Sequence, residues 1–257
     1  SHPRRDCRDP GGRMSVRLTF VGSGDAFGSG GRFQSCILLQ HDGDRTLLDC
    51  GMTSLVALER AGVDHTTIST VIVSHLHGDH FGGIPLLVID GQFSGRDQDL
   101  TVVGPTGTRE RLTEAMEVLY PRSSTITRRF AVNVVEVIPE DPVSLGAVKV
   151  TPFLADHASG APAHLYRLEV AGVVIAYTGD TAWTDAIVEA ASGADLLIAE
   201  ALFREKEVPY HLNVATLAAN RHRLRCGRIV LTHMDSDVLD GPAEGWELAY
   251  DGMVLEL

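Results

Sequence analysis

The sequence is poor in cysteine, in aromatic residues and in long apolar runs. Its four cysteines, Cys7, Cys36, Cys50 and Cys226, form no CxxC pair and no disulfide-dense pattern. A reducing, cytoplasmic setting is therefore expected. The longest uninterrupted apolar stretch, as in IPLLVI, is about six residues. That is far below the ~20 needed to cross a bilayer, so no membrane partner is expected. Basic residues are scarce as well: 22 Lys and Arg stand against 34 Asp and Glu, for a net charge of -12. Such a chain repels a phosphate backbone unless its basic residues gather on one face. A long nucleic acid is thus disfavoured as substrate, and a small molecule is expected instead. Bound divalent cations would offset part of the negative charge locally. The opening SHPRRDCRDPGGR has no apolar segment and does not read as a secretory signal. Residues 1–13 are expected to be a disordered leader or tag remnant, and 14–257 a single domain. Oligomeric state is open, a homodimer included.

What is present is a chain of 257 residues, 44% of them hydrophobic, enough for one full core. Short β-branched or apolar runs recur between glycine, proline and aspartate. VRLTFV, SCILLQ and RTLLD read as strands, with HDGD as a hairpin turn. TSLVALERAG reads as a short helix stopped by Gly62, and TVIVS as a buried strand. LTVVGPTGTRERLTEAMEVLY reads as strand, turn, helix; its Gly-containing turn lacks the GKS/T of a phosphate loop. The second half repeats this grammar, from VNVVEV, AVKVTPFLA, AHLYRLEV and VVIAYTGD through TDAIVEAAS, DLLIAE, NVATLAANRHRL and RIVLTH. LAYDGMVLEL is expected to be one closing strand. Two β-rich halves, each with helices, predict an α/β fold of two packed sheets with helices outside.

The chemistry concentrates in VIVSHLHGDHFGG, where His75, His77, Asp79 and His80 occupy six positions at the end of a strand. Imidazole nitrogen and carboxylate oxygen are the donors a divalent d-block ion takes at ~2.0–2.2 Å. His75 and His77, two apart on an extended segment, point the same way. Gly78 permits a sharp turn, after which Asp79 and His80 can face a second point a few Å away. One loop can then serve two ions ~3.5–4 Å apart, as two-metal hydrolases require. The remaining ligands must come from elsewhere, and three residues sit just beyond buried strands: His157, Asp180 and His233. His164, opening the strand after His157, is the alternative third histidine, or else faces the substrate. His41, His65 and His222 are expected to be exposed.

HxHxDH, a later His, TGDT and LTH together resemble the metallo-β-lactamase superfamily, over nearly the whole chain. The resemblance implies an αββα sandwich with metals at one edge of its two sheets. It implies His75, His77 and His157 on one ion, Asp79, His80 and His233 on the other, and Asp180 bridging both. It also implies a hydroxide shared between the ions as nucleophile. Zinc is the expected metal, with iron and manganese as alternatives. Asp49, in LLDCG, matches the superfamily's strand-end aspartate and is expected to accept the free N–H of a ligand histidine.

The segment AEALFREKEVPYHLNVATLAANRHRLRCGRIVLTH resembles ribonuclease Z and its small phosphodiesterase relatives. By that resemblance His211 donates a proton to the leaving oxygen, and Glu200 orients it. FVGSGDAFGSGGR resembles the same branch, as a Gly-rich loop whose N–H groups can hold an anion. Ribonuclease Z inserts its tRNA-gripping arm between the positions of His157 and Asp180, an interval of only 180 − 157 = 23 positions here. The armless phosphodiesterases, which act on small cyclic or linear phosphate esters, are closer on this point. The leading expectation is therefore a dinuclear metal hydrolase of a small phosphodiester, with Asp79 and His211 in catalysis. A lactone, ester or thioester hydrolase is the alternative. A metabolite-binding or biosynthetic protein that retains the metal site is a third.

Overall fold

Local turn chemistry starts the first sheet. Strand β1 (Arg17–Gly22) pairs antiparallel with β2 (Cys36–His41), which turns through Asp42 and Gly43 into β3 (Asp44–Leu48). Both turn residues take positive φ, 48° and 87°, as a tight hairpin matched to strand twist requires. The computed structural model describes residues 15–257; the expected leader at 1–13 lies outside them.

From β3 the sheet continues in parallel through β4 (Thr70–Ile72), β5 (Leu100–Gly104) and β6 (Val132–Glu136). The crossovers carry helices α1 (Ser54–Arg60), α2 (Gly78–Phe81), α3 (Ile84–Phe93) and α4 (Thr108–Leu119). The second sheet runs β7 (Val143–Leu145), β8 (Val148–Leu154), β9 (His164–Val170) and β10 (Val173–Tyr177), all antiparallel. It then turns parallel through β11 (Leu196–Glu200), β12 (Arg228–Thr232) and β13 (Glu247–Leu248), with α5 (Asp185–Ala191), α6 (Val214–Asn220) and α7 (Ser236–Leu239) in the connections. Finally β14 (Val254–Glu256) returns to pair with β1, giving two seven-stranded sheets.

One apolar cluster joins the two sheets face to face, with Phe20, Ile37 and Ile72 from one and Tyr166, Ile175 and Ile198 from the other. Leu87, Leu112 and Met116 hold helices on the outer face of the first sheet; Ile187, Leu217 and Val238 do so on the second. This is the expected αββα sandwich. No helix among the described residues is long and apolar enough to cross a membrane.

Two local expectations are corrected. LAYDGMVLEL is not one strand: β13 ends at Leu248, Gly252 turns with φ of 90°, and only Val254–Glu256 pairs with β1. Asp251 makes the break, accepting hydrogen bonds from Ser23 N, Ser23 Oγ and Phe33 N at 2.8–2.9 Å. The short strands β7 and β13, three and two residues long, fall below what alternation in sequence can signal. His222 is exposed as expected, but His41 and His65 are half-buried, and His65 lies 2.5 Å from Asp90.

Candidate metal centre

The parallel strands of both sheets end on the same edge, and the chemistry lies in the segments that follow them. After β4 the chain delivers His75 and His77, then turns into α2, which carries Asp79 and His80. After β8 comes His157, after β10 Asp180, at the end of β11 Glu200, and after β12 His233. Close backbone approach is needed for this. Gly179 has φ of 53°, and a Cβ there would stand 2.6 Å from the Cβ of Ser74, so only glycine lets the two sheets' loops meet.

Among the described residues the donor atoms fall into three overlapping groups, each spanning no more than 4.8 Å: His75, His77 and His157 in one, Asp79, His80, Asp180 and His233 in another, and His157, Asp180 and His211 in a third. Asp180 lies between the first two. Its Oδ1 is 3.2 Å from His80 Nε2, and its Oδ2 is 3.4 Å from His233 Nε2 and 3.9 Å from His75 Nε2. Asp79 Oδ2 is 3.2 Å from His80 Nε2 and 3.8 Å from His233 Nε2. His157 Nε2 approaches His77 Nδ1 at 3.1 Å. The seven expected ligands are thus brought together. His164 is in none of these groups: it opens β9, with its Nδ1 3.5 Å from Tyr166 OH.

A buried web holds the histidine tautomers. Asp49, fully buried and with φ of 59°, accepts the Nδ1 hydrogen of His80 at 2.6 Å, as expected from sequence. It also accepts Ser74 N, Ser74 Oγ and Tyr177 OH, at 2.7, 2.8 and 2.6 Å. Ser74 Oγ, spending its own hydrogen on Asp49, accepts from His75 Nδ1 at 3.0 Å. His157 donates its Nδ1 hydrogen to the Tyr210 carbonyl at 2.9 Å. In each case the Nδ1 hydrogen is engaged, which turns Nε2 of His75, His80 and His157 toward the cluster; a metal ion at His80 would displace the proton that the surrounding carboxylates favour there. Ser74, Tyr177 and Tyr210 were not found by sequence reasoning; their contacts are set by tertiary approach, with no local pattern to announce them.

These residues fit divalent cations. His75 Nε2, His80 Nε2 and Asp180 Oδ1 are buried without a hydrogen-bond partner, though buried polar atoms are ordinarily satisfied. Asp49, Asp79, Asp180 and Glu200 are all buried, and among the described residues every ion pair they make is with a histidine. So much buried negative charge needs cationic compensation. The protein's own protons supply some of it. Burial alone would push His80 down, but Asp180, Asp79 and Asp49 push it well up. Burial would raise Asp180, yet His233, His80 and His75 hold it well below the usual carboxylate range. His75, with burial and His80 acting together, is pushed well down.

Glu200 and His211 form a second element beside the cluster. His211 Nδ1 lies 3.0 Å from Glu200 Oε2 and 3.8 Å from Asp180 Oδ2. Glu200 Oε1 accepts Thr181 N at 2.5 Å, which ties the dyad to the residue after Asp180. Burial would lower His211, but the hydrogen bond and charge of Glu200 and the charge of Asp180 outweigh it, and the net shift is upward. Burial and then Asp180 push Glu200 upward, against the pull of His211, so the two groups share one proton across their hydrogen bond.

The Gly-rich loop after β1, which can hold an anion by its sequence, already holds a carboxylate, and so does the turn before α4. Asp25 Oδ1 accepts Phe27 N and Ser29 N within the Gly-rich loop. Glu136 Oε1 accepts Gly107 N and Arg109 N at the start of α4.

The family model described as Anti-Pycsar protein Apyc1 matches residues 16–244. Ribonuclease Z of Methanosarcina acetivorans is 27% identical over 275 aligned positions, covering 88% of this chain and 89% of that protein. The human short-form tRNase Z superposes with a TM-score of 0.77 and 26% identity, over 93% of this chain and 98% of that one. The metallo-β-lactamase fold protein YhfI of Bacillus subtilis superposes with a TM-score of 0.78 over 95% of this chain and all of that one; at 22% identity it speaks to the fold alone. The chain therefore belongs to the Anti-Pycsar protein Apyc1 family, within the metallo-β-lactamase superfamily of metal-dependent hydrolases.

Proposed function

We propose that the chain hydrolyses a small phosphodiester with two divalent ions, zinc foremost. His75, His77 and His157 would hold one, Asp79, His80 and His233 the other, and Asp180 both. Bound there, such ions would lower the pKa of water and offset charge on the phosphoryl oxygens.

The observation that carries the phosphodiester reading is the Glu200–His211 pair. A phosphodiester, like a lactone or ester, must expel an alkoxide, which needs a proton; a thioester expels a thiolate, which does not, so the pair favours an oxygen leaving group. His211 directs its Nδ1 hydrogen to Glu200, 3.0 Å away, so Nε2 is the atom left for a substrate oxygen. Glu200 and Asp180 shift His211 upward against burial, which favours the protonated imidazole that a general acid needs. Glu200 thereby holds both the tautomer and the proton.

The small-substrate reading is supported by the interval from His157 to Asp180. It is filled by a short loop, β9, a tight turn at Ala171–Gly172 and β10, with no inserted arm. A second reading, cleavage of RNA, is favoured by the relatives named ribonuclease Z. A substrate panel separates the readings: bis-p-nitrophenyl phosphate, an RNA with a tRNA 3′ trailer, a lactone and an acyl thioester. Turnover of the phosphodiester, lost in His75→Ala, is expected. Turnover of the lactone or thioester alone would overturn the proposal, and turnover of the RNA alone would move it to the second reading.

A further inference from the structure

Tyr210 is out of place by the rules of backbone sterics. Its φ is 67°, a left-handed value that glycine and asparagine tolerate and a bulky aromatic side chain does not. The conformation has a local reason: it turns the Tyr210 carbonyl onto His157 Nδ1, at 2.9 Å. A glycine would do that at lower cost. The carbonyl explains the backbone and leaves the ring unexplained.

Among the described residues the Tyr210 ring makes no hydrogen bond and no contact with another ring. Tyr210 is 46% exposed, where tyrosine in a folding role buries its ring. Its segment is well pinned at its base. Asn213 Nδ2 donates to the Glu205 and Lys206 carbonyls, Leu202 N donates to the Leu212 carbonyl, and the Arg204 side chain donates to the carbonyls of Asp237, Val238 and Pro242. The exposed ring therefore rides on a fixed platform. The Tyr210 backbone also lies against the least buried side of the cluster. Among the candidate ligands His77 and His157 are half-buried while the others are buried, and His211 is half-buried too. These three mark the open side of the cluster, and Tyr210 adjoins two of them, by hydrogen bond to His157 and by chain to His211.

We infer that Tyr210 is a specificity-determining residue whose ring packs against a flat, ring-bearing leaving group, next to the His211 that protonates that group's oxygen. This rests on the phosphodiester reading above. Strain retained at a functional site is the pattern expected when a side chain, and not the backbone alone, is needed there. A flat apolar face at the mouth of a charged cleft recognises another ring by stacking, while the cluster recognises the phosphoryl group.

The test compares wild type, Tyr210→Phe and Tyr210→Gly, all metal-loaded. Each is assayed for bis-p-nitrophenyl phosphate turnover and for inhibition by phenylphosphonate against methylphosphonate. Tyr210→Gly is expected to raise KM and lose the preference for the phenyl compound, by about tenfold. Its metal content should be unchanged and its Tm equal or higher, because glycine relieves the left-handed backbone. Tyr210→Phe should keep both turnover and preference. Retention of the phenyl preference in Tyr210→Gly would overturn the inference, as would loss of metal with it, since Tyr210 would then act through His157. If wild type turns over no phosphodiester, the functional reading fails by itself. The ring preference is then read from calorimetric binding of the two phosphonates to the three proteins, with the same outcomes.

Discussion

Asp49 and His80 are joined by a 2.6 Å hydrogen bond in which both partners are buried. Tyr177, from the other sheet, donates to the same carboxylate oxygen at 2.6 Å. One carboxylate thus ties the two halves of the sandwich together directly beneath the ligand cluster. The fold and the site share this residue, so damage to it should appear in both stability and metal affinity.

Asp49→Ala leaves Tyr177 OH, Ser74 Oγ and His80 Nδ1 without their acceptor. Stability is expected to fall by about 3 kcal/mol, the scale for removing one partner of a buried pair. Metal affinity should drop roughly 10–100-fold, as for lost partners of ligand histidines. Urea unfolding and competition with a chelating dye measure the two effects.

His211→Ala should lower kcat on an alkyl phosphodiester by about 10²–10⁴ while leaving metal content intact, with a smaller loss on bis-p-nitrophenyl phosphate, whose nitrophenolate leaves without a proton. Loss of metal would instead make His211 a ligand, a role its nearness to His157 and Asp180 permits. The pH profile adds a signed test. A general acid works below its pKa, and His211 is shifted upward by Glu200 and Asp180 against the effect of burial. Activity is therefore lost as pH rises through that raised value. Glu200→Gln removes the carboxylate, lowers the His211 pKa and moves the alkaline limb to lower pH.

His164 predicts a different pH effect, on stability. Burial pushes its pKa down to about 4 from an ordinary 6.5. The unfolded chain then binds a proton between those values that the folded chain refuses. Stability is full above about pH 6.5 and is lost as pH falls toward 4, by about 3 kcal/mol for this one group. Metal-free protein should show that loss in urea midpoints between pH 7 and 4.5, and His164→Leu should flatten it.

Asp251→Ala frees the Gly-rich loop from the C-terminal turn, since Ser23 N, Ser23 Oγ and Phe33 N lose their acceptor. Ser23 O in turn accepts His233 N at 3.1 Å. A loss of about 2 kcal/mol is expected, with weakened metal binding at the His233 group, read by Tm with and without Zn²⁺.

The sequence made part of this legible. His75, His77, Asp79 and His80 are close because they are adjacent in the chain, and HxHxDH announces them. Strand ends could be read from apolar runs, which is why His157, Asp180 and His233 were findable. The network beneath them was not. Tyr177 and Ser74 meet Asp49 only because two sheets stack, and nothing near either residue says so. Asp251 broke an apparent strand through a contact 228 positions away in sequence. Tyr210 reads as an ordinary loop tyrosine until its φ is known.

The most direct test of the account is titration of metal-free protein with Zn²⁺ while bis-p-nitrophenyl phosphate turnover is followed. Two donor groups with Asp180 between them predict that turnover stays low through the first equivalent and reaches its plateau at two. Full turnover at one equivalent, or none at two, would contradict it.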